Sequence, residues 1–302
     1  MKTKFLLNPG TGWCGTTPFY YTLRDAKFCH AGYKKEFHYL QMMHINQDGF
    51  TDWMIDRYTH PKRPDFRTGK PPEITAEYDK DHYHALLEPE HSFDKYIYHM
   101  QYMRDMFPEY QTVCDFSNHN IALPEEFLTA HAKALAPYFD VRVTILVADP
   151  IFRYYHELGG VINQYHHSGK HKRKKMNMIQ TNEDMLYQHY VRTKQQHKLF
   201  RWCCERSRFS TNCYYEDNIA KFRRSYGNKN VLVVEMEKFW NSSYHNESFD
   251  RLSQFLDYEI KPEHLYPNQY MSDNKNIEGL RDQNTEFEPL TEEIYEFGKR
   301  YL

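Results

Sequence analysis

The chain has 302 residues, which is long enough for one large α/β domain or two domains of ordinary size. Its formal net charge is -2 at pH 7, so it has no overall basic field of the kind that binds nucleic acid. Aromatic residues are abundant, with 26 Tyr, 20 Phe and 4 Trp. They supply core side chains and also flat faces on which an aromatic ligand can stack.

The six cysteines give no sign of a disulfide framework or of a shared metal site, because none of them forms a C-x-x-C pair. The apolar run near the start of the chain is too short for a signal sequence or a membrane span. We therefore expect a soluble cytoplasmic protein without nucleic acid or membrane partners. The sequence does not indicate an oligomeric state.

The first element is a short apolar strand that stops at Asn8-Pro9-Gly10, and a helix is predicted over residues 17–28. Gly10 and Gly15 lie five apart and are followed by two threonines, G-x-x-x-x-G-T-T. A strand, a glycine loop and a helix aim backbone N–H groups at an anion. A nucleotide-binding P-loop has Lys where this chain has Thr16, so the lysine that contacts ATP is missing. An ordinary strand–turn–helix connection is the alternative.

Downstream of this loop, apolar runs alternate with segments of helical spacing. A second strand and its exit are predicted over residues 32–40, and further strands over residues 111–115, 141–148 and 230–235. Helices are predicted over residues 91–107, 125–138, 151–165, 183–208, 214–226, 249–256 and 292–301. The run 141–148 is β-branched and largely apolar, which indicates a central buried strand of a parallel sheet.

Two polar segments interrupt the alternation. Residues 46–90 contain four prolines between 61 and 72, which is typical of an insertion or lid. Residues 168–182 open on a basic run and are predicted to form a flexible loop, either solvated or in contact with an anion. The whole pattern predicts a single α/β domain over 1–302. Its central parallel sheet has helices on both faces, and the site lies at the carboxyl ends of the strands.

Three stretches, in this order, resemble the sulfotransferases that use 3′-phosphoadenosine 5′-phosphosulfate (PAPS). Residues 12–17 resemble their 5′-phosphosulfate loop, and residues 146–156 resemble their 3′-phosphate motif. Residues 215–237 are similar to a late helix–strand pair of the family. The resemblance covers about residues 4 to 256, and it implies a P-loop-containing nucleotide-hydrolase-like fold of the sulfotransferase type.

A fourth stretch, Lys35-Glu36-Phe37-His38-Tyr39-Leu40, resembles the K-E-x-H-[FY]-F segment of carbohydrate-type members. The resemblance implies that Glu36 is the general base, with Lys35 and His38 beside it and His38 as the alternate base. We expect partial desolvation to raise the pKa of Glu36 toward working pH. The alternative is that Glu36 is an ion-pair partner of Lys34 or Lys35.

The sequence departs from the family pattern at its charged positions. Trp13 stands where the family has a basic residue, and Ala148 stands where it has an arginine. Lys35 is the nearest replacement for the first, and Trp13 is free to stack on the adenine or the acceptor. Arg153 remains from the 3′-phosphate motif. The residues expected to compensate for the lost charge are Arg142, His156, Lys275 and Arg281.

The resemblance implies in-line transfer of a sulfuryl group from PAPS to a hydroxyl of a sugar or small phenolic acceptor, with 3′-phosphoadenosine 5′-phosphate (PAP) as product and without a metal. The predicted cofactor-binding residues are Gly12, Trp13, Cys14, Gly15, Thr16, Thr17, Pro18, Arg153, His156, Lys275 and Arg281. Two alternatives stay open, a P-loop kinase-like phosphotransferase and a degenerate nucleotide binder without turnover.

Overall fold

The computed structural model describes residues 2–32, 35–45, 82, 85, 86, 90–151, 153, 214–266 and 296. Most of the predicted lid at 46–90 lies outside these residues. The predicted loop at 168–182 and the predicted helices at 151–165, 183–208 and 292–301 also lie outside them, except for residues 151, 153 and 296, and remain predictions.

Within the described part of the chain, five strands form one parallel sheet in the order β2-β3-β1-β4-β5. The strands are β1 Thr3–Leu7, β2 Cys29–His30, β3 Thr112–Asp115, β4 Phe139–Val147 and β5 Val231–Glu235. The predicted α/β class is thereby confirmed. The run predicted as the strongest strand is β4, which pairs with β1 on one side and β5 on the other.

Helices cover both faces of the sheet, as predicted. In chain order they are α1 Thr16–Asp25, α2 Tyr39–Ile45, α3 Phe93–Met106, α4 Glu125–Leu135, α5 Tyr215–Tyr226, α6 Met236–Phe239 and α7 His245–Leu256. Phe5 and Leu7 of β1 pack with α2, α3, α4 and α5, whereas Leu6 packs with α1, α6 and α7. This alternation follows from the two-residue period of a strand.

Local sequence signals account for several helix ends. Ser92 caps α3, since its hydroxyl accepts a hydrogen bond from the backbone N–H of Lys95. Gly227 ends α5 with a positive φ of 89°, which glycine adopts without a steric cost. None of the described helices is both long and apolar enough to cross a membrane.

The strand predicted over residues 32–40 is wrong. The strand at this place is the short β2, which ends at His30, and α2 begins at Tyr39. His38 has a positive φ of 57°, which no strand residue adopts. Tyr39, Leu40 and Met42 are buried because the helix, not a strand, presents them to the core.

A buried histidine between α4 and α5 predicts an acid-sensitive fold. His131 is fully buried, and its Nδ1 is 2.7 Å from the Tyr226 hydroxyl. Burial lowers the pKa of His131 from 6.5 to about 3. Between these pH values the unfolded chain binds a proton that the folded chain does not, so acid favours unfolding by up to about 1.4 kcal/mol per pH unit.

We therefore expect the His131→Phe variant to lose less stability than the wild type when the pH falls from 6 to 4. Urea unfolding at each pH gives the free energies, and the gap between the two proteins should change by about 1 kcal/mol per pH unit. At pH 8 His131 is unprotonated in both the folded and the unfolded chain. The difference in unfolding free energy between the two proteins at that pH therefore reports packing alone. Parallel pH curves for the two proteins would contradict the assignment.

Candidate active site

The glycine loop between β1 and α1 is fixed on both sides by neighbouring strands. The backbone N–H of Asn8 donates to the carbonyl of Asp115 at the end of β3 (2.8 Å). The Thr11 hydroxyl donates to the carbonyl of Leu146 in β4 (2.7 Å). The loop therefore lies at the carboxyl edge of the sheet, where parallel α/β folds place their ligands.

The loop ends at the N-terminus of α1, where Gly15 precedes the first helical residue with a φ of 69°. The first N–H groups of a helix lack partners within the helix and carry a partial positive charge. Thr16 and Thr17 occupy this first turn, and Thr16 is buried. The strand, glycine loop and helix are thus present where the sequence predicted them, and anion binding at this helix terminus stays a prediction.

An ammonium group from another part of the chain lies at this helix terminus. Lys35 Nζ donates to Thr16 Oγ1 at 3.0 Å and is 3.1 Å from Glu36 Oε1. The side chain of Lys35 is only 13% exposed, so water screens this charge weakly. The segment that follows β2 therefore places a cation beside the glycine loop, in which Trp13 occupies the position where the resemblance predicts a basic residue.

Glu36 is the centre of a compact group of polar side chains. Its Oε1 accepts a hydrogen bond from Asn118 Nδ2 (2.8 Å), and its Oε2 is 3.3 Å from His38 Nε2. Together with Lys35, these contacts surround the carboxylate on three sides. The ion pair with Lys35 that the sequence left open as an alternative role for Glu36 is present, and Lys35 also contacts Thr16 at the end of the glycine loop.

The expectation that the pKa of Glu36 is raised is wrong. Burial does raise it, but the charge of Lys35 and the hydrogen bond and charge of His38 act in the opposite direction. Their sum holds the pKa of Glu36 well below its usual value of 4.5. Lys35 and His38 together lower the pKa of Glu36 more than desolvation raises it, because both lie within contact distance of the carboxylate.

His38 is fixed by three neighbours. Its backbone N–H donates to Ser117 Oγ (2.7 Å), its Nδ1 is 2.9 Å from Gln41 Oε1, and its Nε2 faces Glu36. Both ring nitrogens therefore have a polar neighbour. The ring is buried and held in one orientation.

Ser117 and Asn118 belong to this site and were missed by the sequence reasoning. Ser117 comes two residues after the end of β3 and precedes a short 3₁₀ segment that begins at Asn118. The signal was present, because a polar run, Ser117-Asn118-His119-Asn120, comes just after a predicted strand. Its meaning depends on knowing that β3 lies next to β1, which the sequence alone does not give.

The stretch that resembles a 3′-phosphate motif adjoins the same loop. Arg153 is 1% exposed, and its Nε donates to the carbonyl of Gly12 (3.0 Å). The backbone N–H of Ala148 donates to the Tyr215 hydroxyl (3.4 Å), which is 3.6 Å from Cys14 Sγ. All three stretches of the sequence resemblance thus meet around residues 12–14.

The remaining predicted residues are placed as follows. Trp13 is 37% exposed, with a φ of 67°. Arg142 lies in mid-strand, opposite Leu6, and pairs with Asp140 (3.0 Å), four residues before the point where β4 contacts the loop. His156, Lys275 and Arg281 lie outside the described residues, and their roles remain predictions. Within the described ranges no group of three His, Cys, Asp or Glu side chains is placed to hold a metal ion.

The solved structures to which this chain is similar include two sulfotransferase domains. One is the sulfotransferase domain from the Synechococcus PCC 7002 olefin synthase, with 13% identity, a TM-score of 0.44, and coverage of 99% of this chain and 94% of that chain. The other is from the curacin biosynthetic pathway, with 11% identity, a TM-score of 0.48, and coverage of 99% and 97%. Both are sulfotransferase domains. No protein-family model and no curated protein sequence matches the chain. Likeness of this degree carries no argument about activity, which rests on the residues of this chain.

The close packing of the glycine loop predicts that one glycine is indispensable. A Cβ at Gly10 would lie 2.3 Å from the carbonyl oxygen of Asn118, and Gly10 has a φ of +126°. A Cβ at Gly12 would make an ordinary contact, 3.7 Å from the Asn118 Cβ. The two positions therefore provide a variant and its matched control two residues apart.

We expect Gly10→Ala to lower the free energy of unfolding by at least about 2 kcal/mol, since both steric overlap and backbone strain oppose it. Gly12→Ala should stay within about 1 kcal/mol of wild type. Urea unfolding followed by circular dichroism measures both. Equal stability of the two variants would show that the loop does not pack against Asn118 as described.

Proposed function

We propose that the chain is a sulfotransferase that moves the sulfuryl group of PAPS to a hydroxyl of a sugar or small phenolic acceptor. One observation carries the proposal. The Lys35 ammonium contacts both a hydroxyl at the N-terminus of α1 and the Glu36 carboxylate. Lys35, as a cation for the donor, and Glu36, as a base for the acceptor, are thus in contact with each other beside the N-terminus of α1.

In this proposal the N–H groups at the start of α1 bind the 5′-phosphate of the donor, with added hydrogen bonds from Thr16 and Thr17. During transfer, negative charge grows on the oxygen that bridges phosphorus and sulfur. Lys35 supplies the positive charge that stabilises this oxygen. It takes over the role of the basic residue that the family has at the position of Trp13. Alignment of acceptor oxygen, sulfur and leaving oxygen then accounts for most of the rate.

Glu36 acts as the general base. The acceptor oxygen forms a bond to sulfur, the bond from sulfur to the bridging oxygen breaks, PAP leaves, and the hydroxyl proton passes to the Glu36 carboxylate. Because its pKa lies below the usual range, Glu36 is ionised at neutral pH and ready to accept this proton.

The same low pKa makes Glu36 a weak base while Lys35 remains beside it. When the donor binds, its bridging oxygen competes for the Lys35 ammonium. Glu36 then loses the charge that does most to lower its pKa, and its proton affinity rises. Base strength is thereby coupled to the presence of the donor.

Glu36→Gln is expected to lower kcat by about 10²–10⁴, because the amide cannot take the proton. The affinity for PAP should change by less than about threefold, since the loop that holds the phosphate is intact. Turnover of PAPS and calorimetry with PAP measure the two quantities. The control is Glu125→Gln, which removes an exposed carboxylate paired with Arg224 on the surface. Full kcat in Glu36→Gln would disprove the base assignment.

Lys35→Met is expected to weaken PAP binding by about tenfold or more, because the ammonium at the loop is lost. Removing this cation also removes the main cause of the low pKa of Glu36, which should rise toward 4.5. Carboxyl carbon NMR during a pH titration measures that change. Adding Trp13→Lys should restore part of the binding, since it returns a cation to the loop. Unchanged binding and an unchanged Glu36 titration in Lys35→Met would refute the role given to Lys35.

Two measurements separate this function from its alternatives. A kinase-like phosphotransferase would turn over ATP and require Mg²⁺, whereas a sulfotransferase would turn over PAPS in the presence of a chelator. A nucleotide binder without turnover would bind PAP in the calorimeter and transfer nothing to any member of a panel of sugars and phenols.

A further inference from the structure

A buried aspartate adjoins the candidate active site through Ser117, and the proposed mechanism does not use it. Asp115 ends β3 and is 1% exposed. Its Oδ1 accepts hydrogen bonds from the backbone N–H and the hydroxyl of Ser117, and its Oδ2 accepts from the Tyr96 hydroxyl (2.8 Å) and Asn120 Nδ2 (3.4 Å). Four donors therefore hold one carboxylate in a fixed orientation, which a buried charged group requires.

The contact with Asp115 determines what the Ser117 hydroxyl can do. A hydroxyl can donate only one hydrogen bond, and the Ser117 hydroxyl donates it to Asp115 Oδ1. The oxygen of Ser117 is then left as an acceptor, and it faces the backbone N–H of His38 at 2.7 Å. The buried carboxylate thus orients a hydroxyl, and the hydroxyl in turn holds the backbone of a residue in the candidate active site.

His38 needs such a contact because of its backbone conformation. Its φ of 57° lies in the left-handed region, which costs a residue other than glycine roughly 1–3 kcal/mol. The same short segment also holds Glu36, since Asn118 Nδ2 donates to Glu36 Oε1. Ser117 and Asn118 therefore contact the two members of the Glu36–His38 pair. The remaining titratable group described near His38 is His119, whose ring centroid lies 5.7 Å away.

We propose that Asp115 and Ser117 form a positioning pair, in which the buried carboxylate orients the Ser117 hydroxyl so that it holds His38 against the Glu36 carboxylate. Neither residue touches a reacting atom. The geometric part of this proposal stands on the hydrogen bonds alone, whereas its consequence for turnover rests on the proposed function.

The test compares Ser117→Ala with Ser117→Thr, which keeps the hydroxyl. In Ser117→Ala the N–H of His38 loses its acceptor, so the ring moves away from Glu36 and one cause of the low pKa of that carboxyl is lost. Carboxyl carbon NMR should then show the pKa of Glu36 higher by about one pH unit. kcat should fall by roughly tenfold or more, with PAP affinity unchanged within about threefold. Ser117→Thr should restore both the titration and kcat.

Thr129→Ala is the matched control, because it removes a hydroxyl that hydrogen-bonds Ser225 (3.2 Å) between α4 and α5. It should leave the Glu36 titration unchanged. If Ser117→Ala does not fold, Ser117→Cys keeps a similar shape with a weaker acceptor and should move the titration in the same direction. An unchanged Glu36 titration in a folded Ser117→Ala or Ser117→Cys variant overturns the proposal.

The two proposals fail in different ways. If the wild type transfers no sulfuryl group but Ser117→Ala still changes the Glu36 titration, the proposed function is wrong and the positioning pair is supported. If the wild type is active but the titration and kcat are the same in Ser117→Ala, the positioning pair is wrong and the proposed function stands.

Discussion

The structure depends on how the glycine loop after β1, residues 8–15, is held by the ends of the neighbouring strands β3 and β4. Backbone groups of residues 8–11 must bond to the ends of β3 and β4, because β1 lies between them. This constraint removes space for a Cβ at Gly10 and directs the chain into α1 at Gly15. It also brings the segments that follow β3 and β4 against the loop. The candidate site is therefore a consequence of strand order, in which each strand delivers its next few residues to the same edge.

At that edge of the sheet, the pKa of Glu36 is determined by the charged neighbours it contacts and not by burial alone. Glu36 is partly desolvated, which by itself raises its pKa, yet Lys35 and His38 reverse the direction. Both partners come from the same short segment between β2 and α2 as the carboxylate itself. Asn118 and Ser117 fix that loop from the segment after β3. A carboxylate so placed is always ionised near neutral pH, and its strength as a base depends on where the Lys35 ammonium points.

Much of the fold follows from the sequence, because apolar strands and helix ends leave local patterns. The runs now seen as β3, β4 and β5 are each bounded by turn or cap residues, so their type and place are readable. The strand predicted over 32–40 failed because its aromatic residues suit either a strand or a helix, and the positive φ of His38 decides between them. Lys35, Glu36 and His38 were found by resemblance to a family segment. Ser117 and Asn118 were not, since their role comes from contacts with residues about eighty positions away. Asp115 was not found either, because it contacts the candidate site only through Ser117.

Trp13 is the departure that most needs a physical account. A bulky residue at a φ of 67° is strained, and its ring is 37% exposed where a basic residue is expected. The contact of Lys35 with Thr16 offers the explanation. If the cation for the donor comes from the loop after β2, the position of Trp13 no longer has to carry charge. An aromatic ring there adds a flat apolar face at the edge of the cradle, suited to an adenine, a phenol or the apolar face of a sugar. Charge and stacking are then divided between two loops, and a change in one need not disable the other.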